Sequence, residues 1–135
     1  MKILVLDDED YRHRGFDEAL AGHEVHHVRT VRQFKKKIAE RRDWDLVAFD
    51  HDLGDGNKDQ AGKDGRDAAM AFVVSSVHPD CLCVVHSWNP AGATRIVDVL
   101  SEASRKFIRQ PFGTTLLEVV LPSMGFCKIR DARAR

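Results

Sequence analysis

Three short segments, Lys2–Leu6 (KILVL), Asp45–Phe49 (DLVAF) and Cys81–Val85 (CLCVV), have continuously apolar interiors rich in β-branched residues, and they constrain the fold more than any other feature of the chain. A strand with one wet face alternates apolar and polar positions. A run without that alternation is buried on both faces, like a strand inside a parallel sheet covered by helices on both sides. Each run ends on polar side chains: Asp7 and Asp8 after the first, Asp50, His51 and Asp52 after the second, His86, Ser87, Trp88 and Asn89 after the third. Ligands of open parallel sheets bind beyond the carboxyl ends of the strands, where side chains converge without breaching the core. The three clusters are therefore expected to meet in space as one site.

Between the runs, strands alternate with helical patterns, the signature of βα units on a parallel sheet. A helix is expected from about Glu9 to Leu20, with Tyr11, Phe16, Ala19 and Leu20 inward and Gly22 closing it. A weak, polar strand from His23 to Val28 follows, then a second helix that opens on a capping box, Thr30 to Gln33, and carries Val31, Phe34 and Ile38 through Arg42. The segment from Gly54 to Asp64 has no hydrophobic period and reads as a mobile lid or a plain solvent loop. A third helix has Ala69, Phe72 and Val73 inward, and a fourth runs from Ala91 to Lys106 with Ile96, Val97, Leu100 and Ala103 on one stripe. A short strand from Lys106 to Phe112 and a helix from Thr114 to Leu121, stopped by Pro122, complete five βα units in one α/β domain over residues 1–135.

A chain of 135 residues supports one substantial core. No apolar stretch approaches the ~20 residues needed to cross a bilayer, so no membrane association is expected. The first strand begins at once, without the pattern of a signal peptide, which points to the cytoplasm. Three cysteines argue against a disulfide framework, and Cys81 and Cys83, two apart on a strand, read as packing residues. The formal net charge of zero gives no general attraction to a polyanion, so duplex DNA is not an expected partner. Arg29, Arg32, Lys35, Lys36, Lys37, Arg41 and Arg42 form a basic helix surface that is either simply solvated or a guide for an RNA end. Whether the chain has protein partners is not legible in the sequence.

Asp7, Asp8 and Asp50 would bring carboxylates around one point, and like charges that close do not all stay ionised without a cation. A divalent metal is the simple remedy. All-oxygen ligation suits Mg²⁺ or Mn²⁺, and an added imidazole from His51 or His86 shifts the preference toward Mn²⁺ or a later transition metal. The alternative is that Asp8 and Glu9 only begin a helix. If the second strand continued, Asp50 and Asp52 would share a face and His51 would oppose them; if a loop began at His51, all three could turn inward. An imidazole can shuttle a proton at a phosphoryl oxygen, which makes His51 and His86, together with Asp52, the catalytic candidates. Ser87 and Asn89 are the candidates to hold non-bridging oxygens. Trp88 either stacks on a base or covers the sheet edge. Asp67 is either a first-turn helix acid or a contact to the site. The stretch from Asp55 to Asp59 looks like the start of a calcium loop, but its sixth and twelfth positions are Gln60 and Arg66, where Gly and Glu are required.

The five-unit pattern, with its acidic pair after the first strand, Asp50 after the third, Ser87 after the fourth and Pro111-Phe112 after the fifth, resembles the response-regulator receiver domain. That resemblance implies the flavodoxin-like strand order 2-1-3-4-5. Gln110 stands where a signalling receiver has the lysine that pairs with the phosphoryl group, and Arg109 is one position early. The pieces Leu6 to Glu9, Phe49 to Gly54, Gly65 to Asp67 and Val85 to Gly92 resemble a narrower group, the cyclic-phosphate processing receiver domains, over about residues 1–100. The resemblance implies hydrolysis or formation of a cyclic phosphate on a nucleotide or RNA end. Two other readings stay open at this point: a signalling receiver with Asp50 as phosphoacceptor, and a non-catalytic nucleotide- or partner-binding module.

Overall fold

The computed structural model describes residues 1–54 and 63–129. Along them run β1 (Lys2–Leu6), α1 (Asp10–Ala19), β2 (Glu24–Val28), α2 (Val31–Glu40), β3 (Leu46–Phe49), α3 (Gly65–Val73), β4 (Leu82–Val85), α4 (Pro90–Glu102) and β5 (Phe107–Arg109). A π-helical stretch, Thr115–Val120, then leads into α5 (Leu121–Ser123). The strands form one parallel sheet in the order β2-β1-β3-β4-β5, the flavodoxin-like order. Most of the expected loop from Gly54 to Asp64 lies outside the described residues. No helix among the described residues is long and apolar enough to cross a membrane.

Strand parity divides the core in two. Leu4, Leu6, Val47, Phe49, Cys83 and Val85 pack against α2, α3 and α4 through Phe34, Ile38, Phe72, Ile96 and Leu100. Ile3, Val5, Leu46, Ala48, Leu82 and Val84 face the other way, against Phe16 and Leu20 of α1 and against Leu116 and Leu121. This explains why β1, β3 and β4 carry no polar position, and each fully buried Phe or Leu stabilises the sheet by about 1.5–3 kcal/mol. β2, at the edge, exposes part of every residue except Val28, in keeping with its polar sequence. Cys81 and Cys83 are core residues, and burial pushes the Cys81 thiol up to about 12.

Several boundaries and facings differ from the sequence reading. Tyr11 is exposed, and His13 is buried in its place, because its ring finds polar partners inside: Nε2–H donates to the Asp7 carbonyl at 2.8 Å and Nδ1 meets Nδ1 of His27. The capping box of α2 is half formed. Thr30 accepts from the Gln33 amide at 3.0 Å, while Gln33 Oε1 reaches the Arg29 amide instead of that of Thr30. α4 ends at Glu102 with Ala103 exposed, and Ser104 turns the chain at φ 56°. β5 is shorter than expected, Phe107–Arg109. Pro122 sits inside the first turn of α5, where its missing N–H costs nothing, so the helix ends beyond it, at Ser123.

Candidate functional site

Leu6, Phe49 and Val85 are register partners across β1, β3 and β4, so Asp7, Asp50 and His86 leave the sheet side by side. The ladder runs one step further: the Asp50 amide donates to the Leu6 carbonyl at 3.0 Å and the His86 amide to the Phe49 carbonyl at 3.1 Å. Parity then sends all three side chains to the α1 face. Each offers one ligand atom, and these atoms lie within 4.8 Å of one another. All three residues are buried.

One cation already sits among these acids. Helical side chains lean toward the helix N-terminus, and Arg12, in the first turn of α1, reaches back so that Nη1 lies 3.4 Å from Asp7 Oδ2 and 3.3 Å from Asp50 Oδ2. Asp7 also accepts from the Glu9 amide at 2.9 Å and from His86 Nε2–H at 2.7 Å. Burial works to raise the Asp7 pKa, but the His86 bond, the Glu9 amide and Arg12 outweigh it and hold the carboxyl below its ordinary value. Asp50 has fewer partners. Burial, then the charge of Asp7, push it up to about 7, against the pull of Arg12. Burial and Asp7 also raise Asp8. His86 is fully buried, and burial lowers its pKa in spite of the Asp7 bond, which favours the neutral ring. A carboxylate only accepts, so the His86 proton is on Nε2, and Nδ1 is left buried without a partner.

Above these groups opens a cleft of about 170 Å³ lined by Asp8, Glu9, Arg12, Asp50, Asp52, Gly54, Ser87, Trp88 and Asn89. Asp52 is fixed from two sides: His51 Nδ1–H donates to it at 2.8 Å and Asn89 Nδ2 at 3.3 Å. Asn89 caps α4 through its Oδ1, which accepts from the Gly92 backbone amide at 3.1 Å, and its own backbone N–H donates to Ser87 Oγ at 3.1 Å. The Ser87 hydroxyl proton therefore remains available. His51 takes the opposite side from Asp50 and Asp52, as continued strand parity requires. It is buried where α3 and α4 begin, and a Cβ on Gly92 would collide with its ring. Asp64 Oδ2 lies 3.2 Å from His51 Nε2 but off the hydrogen-bonding direction, so Nε2 is a second buried nitrogen without a hydrogen bond.

Of the eight metal, catalytic and phosphate-holding candidates read from the sequence, Asp8, Asp50, Asp52, Ser87 and Asn89 line the cleft, and so does Trp88. Asp7 and His86 lie beneath it, and His51 lies behind Asp52. Asp8 stands on the wall, outside the close group of Asp7, Asp50 and His86. Neither histidine lines the cleft; His86 is bonded to Asp7 and His51 to Asp52. Asp67 forms a capping box with Asp64 at the start of α3, in line with a first-turn acid. Sequence reasoning missed Arg12 and the Glu9 amide; an arginine four residues after Asp8 in a helix's first turn was the available signal. It also left open the relation of the basic surface to the site: Arg29 Nη1 donates to the Asp8 carbonyl at 3.0 Å, at the edge of the site.

With this geometry in place, likeness to known proteins is informative. The model of the Cyclic-phosphate processing Receiver domain family matches residues 2–102. The chain belongs to this family. Among solved structures, a response regulator receiver domain protein from Methanospirillum hungatei is similar at TM-score 0.63 and 20% identity, covering 93% of this chain and 94% of its own. The N-terminal domain of a response regulator/sensory box/GGDEF protein from Carboxydothermus hydrogenoformans is similar at TM-score 0.64 and 20% identity, with 93% and 94% covered. An adenylate cyclase structure from Rhodopirellula baltica gives TM-score 0.66 at 14% identity, with 90% and 84% covered. These likenesses are of fold. No curated protein matches the chain.

Proposed function

We propose that this receiver-like domain is a divalent-metal-dependent phosphoesterase that opens a cyclic phosphodiester to a monoester. The observation that carries the reading is the convergence of Asp7, Asp50 and His86 within 4.8 Å beneath a polar cleft. Two carboxylates and an imidazole fit Mn²⁺ or a later transition metal better than Mg²⁺; a cation there would displace the proton that Asp50 retains up to about pH 7, and His86 could ligate through Nε2 only once its proton had moved to Nδ1. When bound, such an ion would supply charge for the phosphoryl oxygens and lower the pKa of water.

The chain's own residues cover the remaining requirements. Opening the ring adds water across one P–O bond: the water oxygen bonds to phosphorus, one ring oxygen leaves, and a proton must be taken from water and another given to the departing oxygen. Asp52, held by His51 and Asn89, takes the proton from water. Asp8, whose pKa is raised by burial and by Asp7, protonates the leaving oxygen. Arg12, the Ser87 hydroxyl and the Asn89 amide meet the non-bridging oxygens, where fixed donors are most effective.

Phosphorus NMR of adenosine 2′,3′-cyclic monophosphate with Mn²⁺ or Mg²⁺ tests the reading. The wild type should give monoester only with metal, Asp52→Asn should be slower by about 10²-fold or more, and His78→Ala, at the far end of the sheet, should match wild type. Calorimetry should show Mn²⁺ binding that Asp50→Ala abolishes. No metal-dependent product from any cyclic nucleotide, or no binding of either metal at millimolar concentration, overturns the proposal.

A further inference from the structure

We propose that Trp88 forms a nucleobase subsite at the rim of the cleft, which makes the substrate a nucleoside cyclic phosphate and not a cyclic phosphate on a bare sugar. The inference rests on the cyclic-phosphate reading above. Trp88 lies between Ser87, which is buried, and Asn89, whose side chain is tied to both Asp52 and the Gly92 amide. Those neighbours point inward and fix the backbone, so the indole between them is turned out, 63% exposed, on the wall of the cleft. An indole held open to water on a tethered turn gives up apolar burial that a smaller residue would not lose. A ligand surface that covers it would regain that burial.

The size and lining of the cleft say which part of a ligand that would be. About 170 Å³ is well below the roughly 300 Å³ at which pockets begin to enclose a whole small molecule. It accommodates a phosphate and part of a sugar, and the rest of a nucleotide stays at the rim. The other lining side chains are acids, Arg12, Ser87 and Asn89, which suit a phosphate and offer no apolar slot. Trp88 supplies the one aromatic face there among the described residues. Stacking on it needs only a π-face, so the subsite would accept any base and favour purines. A free nucleoside 2′,3′-cyclic monophosphate and the cyclic-phosphate end of an RNA present the same terminal nucleoside, and the length of the probe separates them.

Steady-state kinetics on the full chain with Mn²⁺ compare adenosine 2′,3′-cyclic monophosphate, methyl ribofuranoside 2,3-cyclic phosphate and a trinucleotide ending in a 2′,3′-cyclic phosphate. Trp88→Ala should raise KM for the adenosine substrate about tenfold with kcat unchanged, Trp88→Phe should restore most of it, and the base-free substrate should show a high KM that neither variant moves. A lower KM for the trinucleotide than for the mononucleotide would assign the site to RNA ends; equal values would assign it to free nucleotides. Equal wild-type KM for the adenosine and base-free substrates, or an unchanged KM in Trp88→Ala, overturns the subsite and leaves the phosphoesterase reading intact. If the wild type opens none of these rings, that reading fails, and fluorescence still decides the subsite. Trp44, the second tryptophan, is fully buried before the opposite end of β3. Saturable quenching by adenosine 3′-monophosphate that disappears in Trp88→Ala supports the subsite, and its absence overturns it.

Discussion

Asp50 shows how one residue can link burial, charge and function. The residue is 2% exposed and its carboxyl is pushed up to about 7 from an ordinary value of 3.8, so between those two values the folded chain holds a proton that the unfolded chain has released. Stability must then fall as pH rises through that window and level off above it. Each pH unit over which the proton difference is complete is worth about 1.4 kcal/mol, or roughly 3–6 °C in Tm for a domain of this size. Asp50→Asn should remove that slope. In thermal melts from pH 4 to pH 7.5 without metal, the Tm of the variant should therefore gain steadily on wild type, and Mn²⁺ should flatten the wild-type profile because the ionised carboxylate acquires a partner. Parallel profiles for the two proteins would show that Asp50 is ionised throughout. The acid pair was legible in the sequence because two strand ends announced it. The cation that tempers it was not, since no periodicity indicates where Arg12 in the first turn of α1 will reach.

The helices add the constraint that positions His51. α3 and α4 both begin against it: the Gly65 amide donates to the His51 carbonyl at 2.8 Å, and a Cβ on Gly65 would strike the Asp50 carbonyl and the His51 backbone. At Gly92 the obstacle is the His51 side chain itself, which can move. Alanine inside a helix is favoured over glycine by about 1 kcal/mol, whereas forcing extra volume into a packed site costs about 1–3 kcal/mol, so both substitutions should destabilise, Gly65→Ala more. Gly92→Ala should also push His51 off Asp52 and lower turnover. Denaturant unfolding and the His51 imidazole ¹⁵N shifts would check both, and His51→Ala should relieve the stability cost in the Gly92→Ala background. An unchanged ring spectrum in Gly92→Ala would mean that α4 shifts instead. The elements themselves were readable where burial is two-sided: β1, β3 and β4 follow from their apolar runs. Reading failed where partners far along the chain decide, as with His13, buried because Asp7 and His27 receive its nitrogens, and with the π-helical stretch before Pro122, which carries no local signature.

Across the whole molecule, the same fold could serve as a switch, and the distribution of its cations argues against that use. A receiver must hold a phosphoryl group and transmit its presence to a distant surface, which needs a cation that follows the group. By the resemblance to signalling receivers, Gln110 stands where they carry the pairing lysine, and its backbone amide is bound to the Val85 carbonyl at 3.1 Å. The neighbouring Arg109 is committed elsewhere: Nη1 donates to Thr94 Oγ1 and Nη2 to the Pro90 carbonyl, each at 2.9 Å, which ties β5 to the first turns of α4. Among the described residues lining the cleft, the cation is Arg12, and it stands on α1, on the far side of Asp50 from β5. A phosphoryl group on Asp50 would therefore meet no cation from β5, and toward α4 it would meet only the uncharged Ser87 and Asn89 among the described residues lining the cleft. Incubation with acetyl phosphate and Mg²⁺, followed by intact mass and amide NMR, should show no long-lived adduct and no shift of β5 or α4 resonances. A stable adduct on Asp50 that moved those resonances would mean that another group does the lysine's work and that signalling is the better reading of this site.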